Sequence, residues 1–108
     1  MGSLWLALES CTIRAEEVSE VAVVKSGRVV AGRMHRERYA VVIRAFHGSP
    51  TAGRAITRTV WSSGHQHEAD AVAGRLVDRL ITDRSRAGKL GVTESGRIVF
   101  TPVDESAP

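Results

Sequence analysis

Residues 67–83 read HEADAVAGRLVDRLITD, and the spacing of their apolar members decides the kind of fold this chain builds. Ala69, Val72, Ala73, Leu76, Val77, Leu80 and Ile81 recur three and four positions apart, which gathers them on one side of a helix. Asp70, Arg75, Asp78, Arg79 and Asp83 fill much of the other side. Ser63 with Gln66 three residues later fits a capping box, and Glu68 and Asp70 suit the positive N-terminal end. Gly74 costs about 1 kcal/mol relative to Ala in a helix interior, so it is expected to mark a close approach to a sheet. Arg84, Arg86 and Gly88 supply the stop.

A helix over about 67–83 with one apolar side needs a surface to cover, and the preceding residues offer one. Tyr39 to His47 is the clearest strand. Its odd positions, Tyr39, Val41, Ile43 and Ala45, are all apolar, while Arg38, Ala40, Val42, Arg44 and Phe46 are mixed. Gly48 to Gly53 is dense in turn residues, and Arg54 to Trp61 returns. Pairing Tyr39 with Trp61 and Ile43 with Thr57 keeps the more apolar set together. A slip of one residue inverts the faces.

Farther upstream, Val18 to Val24 is β-branched and mostly apolar, the profile of a strand buried on much of both faces. Lys25 to Arg28 is a turn signal, Val29 to Ala31 begins a return strand, and Gly32 to Glu37 reads as a bulge or loop. Leu4 to Leu8 alternates as a short strand, Glu9-Ser10 turns it, and Cys11 to Ile13 pairs back. Arg14 to Glu17 is a helical turn or bend. Gly91 to Ser95 is a connection, and Arg97 to Thr101 a last strand. The fold class is therefore α+β: an antiparallel sheet of four to six short strands covered on one face by a single long helix. One domain is expected over 1–101, with a flexible acidic tail over 102–108.

A chain of 108 residues suffices for one core and not two. No apolar run approaches the roughly twenty residues that span a bilayer. The opening lacks a charged n-region, so no signal peptide is read. A single cysteine, Cys11, excludes an internal disulfide and fits a reducing, cytoplasmic setting.

Charge is blocked along the chain. Between Lys25 and His65 stand eight basic residues against Glu37, while the remainder holds seven bases and eleven acids. Thirteen of the fifteen bases are Arg, which GC-rich codons favour and which also grips carboxylates or phosphates bidentately. In the register above, Arg38, Arg44, Arg54 and Arg58 share a face with Phe46. That set is the expected binding surface, for a protein partner or a second copy in a homodimer. The same arginines beside an aromatic carry the alternative reading, single-stranded nucleic acid.

Catalytic chemistry has thinner support. His65 and His67 are the residues a metal would use, with His35 or His47 completing a site. They straddle a helix start two apart, rather than four apart on one face, so polar capping is the reading adopted and no metal or other cofactor is expected. Cys11 stands among Glu9, Glu16 and Glu17, which disfavour a thiolate. The glycines form no phosphate loop, and no serine sits in a nucleophile elbow. A small metal- or thiol-dependent enzyme is the second alternative to a non-catalytic binding module.

Overall fold

The computed structural model describes residues 3–8, 11–30, 33–47 and 53–102, and their side chains apart from 26–30, 33–37 and 47. In chain order the elements are β1 (Leu4–Ala7), β2 (Thr12–Arg14), a 3-10 turn (Ala15–Glu17), β3 (Val18–Val30), β4 (Arg33–His47), β5 (Arg54–Ser63), α1 (Gln66–Thr82), β6 (Gly88–Val92) and β7 (Ile98–Pro102). The class is α+β, with one long helix packed on sheet. The strands form two sheets, β2-β1-β6-β7 and β3-β4-β5.

The second sheet is an antiparallel meander whose alternation matches the period expected for β4. Val41, Ile43 and Ala45 are fully buried and meet Ala69, Val72 and Leu76 of α1 in the common core. Leu4, Leu6, Ile13 and Leu90 join that core from the first sheet. There, register places Ile13, Leu6, Leu90 and Phe100 in one row across all four strands. Burial of such side chains is worth about 1.5–3 kcal/mol each, so this core is the main source of cohesion.

Several local expectations change. The segment from Lys25 to Arg28 does not turn: β3 continues to Val30, and Gly27 pairs with Glu37. The ladder to β4 therefore absorbs both the expected turn and the expected loop over 33–37, and the continued pairing satisfies the backbone groups that the two strands turn toward each other. β3 and β4 are consequently long rather than short. Val18, Val21 and Val23 are half-buried and Val24 is exposed, since only one side of β3 faces the core. The predicted turns at Glu9-Ser10 and Gly48–Ala52 and the tail over 103–108 lie outside the described residues.

Strand β6 replaces what reads as helix stop and connection. It runs parallel to β1, with Leu6 opposite Leu90, so the first sheet is mixed rather than antiparallel. Gly88 is essential to this arrangement: a Cβ there would lie 2.6 Å from the Phe100 ring and 2.6 Å from the Thr101 carbonyl oxygen. The ring laid over Gly88 also receives the Arg86 guanidinium, 3.9 Å from its centroid.

Helix α1 starts with His65 as an extended N-cap whose side chain makes no capping bond. Ser63 instead donates to the Glu68 carboxylate and accepts from the His65 backbone N–H at 3.1 Å, so its helix-start partner is Glu68, not Gln66. Val77 and Ile81 face outward, Ile81 at 69% exposure, which narrows the covered stripe to Ala69, Val72, Ala73, Leu76 and Leu80. Gly74 marks no close approach, as nothing lies within 4 Å of a Cβ placed there. At the other end Asp83 is buried and gathers Arg79 (2.7 Å) and Arg86 (3.3 Å). The hydrogen bond from Arg79 holds the Asp83 carboxyl below its ordinary range. Burial works against that shift, and the Arg86 bond adds to it.

Candidate functional site

Helix α1 covers the side of the meander that carries Val41 and Ile43, and the residues between them point the other way. On β4 that outer face presents Arg38, Ala40, Val42, Arg44 and Phe46. Pairing adds Glu20, Ala22 and Val24 from β3, opposite Arg44, Val42 and Ala40. It also adds Ala55, Thr57, Thr59 and Ser62 from β5. Ala40 and Val42 are buried yet belong to no core cluster. Val24 and Phe46 are exposed at 42% and 44%.

The floor of this face is apolar and built of small side chains, and its rim is polar. Arg38 donates to Ser62 Oγ at 3.1 Å across the strands. Arg44 and Glu20 approach to 3.8 Å, both more than half exposed. Ser19 Oγ donates to the Arg44 carbonyl at 3.2 Å beside the irregularity between Val18 and Glu20.

The five residues expected to share one surface divide. Tyr39 pairs with Ser63 and Val41 with Trp61, then the ladder slips so that Val42 meets Thr59 and Ile43 meets Arg58. Val60 is the extra residue, a β-bulge that reverses the alternation beyond it. The predicted pairs Tyr39–Trp61 and Ile43–Thr57 are therefore displaced. Arg38, Arg44 and Phe46 share the outer face, whereas Arg54 and Arg58 lie with Ile56 on the core side of β5. Both arginines are exposed there, and the Arg58 guanidinium donates to the Thr57 carbonyl at 3.0 Å. Strand β5 is a sheet edge. Inward-pointing charge and a bulge are two devices that stop an edge from pairing with stray strands.

His65 and His67 stand with ring centroids 5.7 Å apart, both exposed. Among the described residues no group of three or more potential ligands gathers around a metal position. Cys11 is half-buried with a free thiol. Among the described residues no helix is long and apolar enough to cross a membrane.

Two groupings escaped the sequence reading because they join distant segments. On the outer side of the first sheet Arg14, Trp5 and Lys89 stand in one row, with the Arg14 guanidinium 5.3 Å from the Trp5 ring. Between α1 and β7, Arg75, Arg79 and Arg97 line one recess. Only the parallel pairing of β6 with β1 and the docking of the last hairpin on α1 create these neighbours, and neither has a local signal. No protein-family model, curated protein or solved structure matches the chain.

Proposed function

We propose that this chain is a non-catalytic assembly module that pairs with a second copy of itself through the outer face of β3, β4 and β5. The observation that carries the reading is a sheet face with two exposed apolar side chains, Val24 and Phe46, over the buried Ala40 and Val42, beside a rim holding both signs of charge, Arg44 and Glu20. An apolar centre inside a polar rim is the anatomy of a protein interface. Glu20 and Arg44 within one copy are exposed, and such a pair contributes little in water. Under a two-fold axis each copy offers the acid where the other offers the base, so the face is complementary to itself. That complementarity selects a second copy over a partner of one sign.

Nucleic acid as the alternative ligand rests on four arginines acting together. The pairing that turns Arg54 and Arg58 away removes half of that support, and Phe46 alone is a meagre stacking platform.

Sedimentation of the full chain over a range of concentrations tests the proposal. The parent should sediment at twice the chain mass, and Val24→Asp at the chain mass with the parent's circular dichroism spectrum, since Val24 is exposed in the single chain. A Val24→Asp protein that assembles as the parent does would rule out this face.

A further inference from the structure

We propose that the recess between α1 and β7 binds a small phosphate-bearing anion through Arg75 and Arg97, with Arg79 at its rim. The recess, open to solvent on one side, holds about 390 Å³ and is lined by Arg75, Asp78, Arg79, Arg97 and Ile98. Its volume falls within the roughly 300–1,000 Å³ of small-ligand sites. The three guanidiniums come from two elements far apart in sequence, so neither codon usage nor a local run gathers them. With Arg79 held by Asp83, Arg75 and Arg97 stand against the single carboxylate of Asp78, an excess of positive charge that suits an anion.

Arg75 and Arg97 are also uncommitted. Arg79 spends its Nε on Asp83. Among the described residues, neither Arg75 nor Arg97 forms an ion pair, and Asp78 within the same recess forms none either. A cation near the C-terminal end of α1 favours the helix dipole, which accounts for Arg79 in the last turn. It does not account for Arg75 in mid-helix or for Arg97 leading into β7. Two guanidiniums that can each engage a pair of oxygens fit the several acceptors of phosphate better than the two of one carboxylate. Arg75 also lines the neighbouring cleft, about 450 Å³, that reaches Trp61, His67 and Ser95. A ligand larger than phosphate would extend from Arg75 toward Trp61.

Melting of the full chain at neutral pH and matched ionic strength tests the site, with chloride, inorganic phosphate, pyrophosphate and succinate as probes. A ligand of the folded state raises the melting temperature with concentration by mass action. Phosphate should raise it saturably above chloride, pyrophosphate further, and succinate not at all. Arg75→Ser with Arg97→Ser should lose the response. Both side chains are exposed, so the variant's own melt in chloride supplies its baseline. A phosphate response equal to chloride's, one matched by succinate, or one kept by the double variant would overturn the site. So would retention of a single-stranded oligonucleotide by a protein that ignores phosphate and pyrophosphate.

Discussion

The indole Nε1 of Trp61 donates to the backbone carbonyl of Glu94 over 2.8 Å, and so one aromatic side chain ties the edge strand β5 to the β6–β7 turn. The turn is shaped to receive it. The Gly96 N–H donates to the Thr93 carbonyl at 2.9 Å, and Thr93 and Ser95 join their hydroxyls at 2.9 Å. Gly96 has a φ of 83°, and a Cβ on it would lie 2.8 Å from Val72 Cγ2 and 3.2 Å from Trp61 Cζ2. Helix, meander and last hairpin therefore meet at a residue with no side chain.

Gly96→Ala should accordingly destabilise the protein by about 1–3 kcal/mol, the cost of holding a non-glycine residue in the left-handed region, with the contact to Val72 adding to it. Gly74→Ala is the matched control. Nothing surrounds that position, and the helix should gain about 0.5–1 kcal/mol. Urea midpoints of the two variants should move in opposite directions.

Leu76 is fully buried between α1 and β4. Leu76→Ala should lower stability by about 2–5 kcal/mol through lost burial and a residual cavity. Ile81→Ala on the same helix should change it little, because Ile81 is exposed. Equal denaturation midpoints for the two variants would contradict the assigned helix face.

Acid should weaken the C-terminal end of α1. The folded-state pKa of Asp83 is lowered from its ordinary value near 3.8, chiefly by the Arg79 hydrogen bond and also by Arg86. A lowered carboxylate pKa gives stability that is complete above the ordinary value and disappears as pH falls through the folded value. The stability difference between the parent and Asp83→Asn should thus be constant near neutrality and shrink below about pH 4. Urea titrations along an acid series measure it.

Arg54 and Arg58 should guard the edge of β5 rather than bind. Replacing both with Thr leaves the outer face intact and keeps β propensity. The variant should fold and assemble as the parent does, yet scatter more light on warming as the unguarded edge recruits other strands. Lost assembly without aggregation would return these arginines to a binding role.

What was legible in the sequence follows the range of the forces involved. The apolar period of α1 and the alternation of β4 are local, and both emerge, α1 with nearly the expected bounds and β4 extended back to Arg33. The two-sheet division was hidden because Gly88-Lys89-Leu90-Gly91-Val92 resembles a connection, and only Leu90 on the core row shows it to be a strand. The outer face was half legible. Arg38, Arg44 and Phe46 follow from the parity of β4, but a single bulge at Val60 re-aims everything before it on β5. A bulge inserts one residue without changing composition or period, so the arginine pattern of β5 fits either face equally.

The most direct test of assembly through the outer face is sedimentation of two charge-reversed proteins, Glu20→Arg and Arg44→Glu, alone and mixed in equal amounts. If Glu20 of each copy meets Arg44 of the other, either variant alone presents like charges across the axis and should sediment as a monomer. The mixture restores opposite charges at both contacts and should sediment as a dimer. Dimers of either variant alone as stable as the parent's, or a mixture that stays monomeric, would contradict the account.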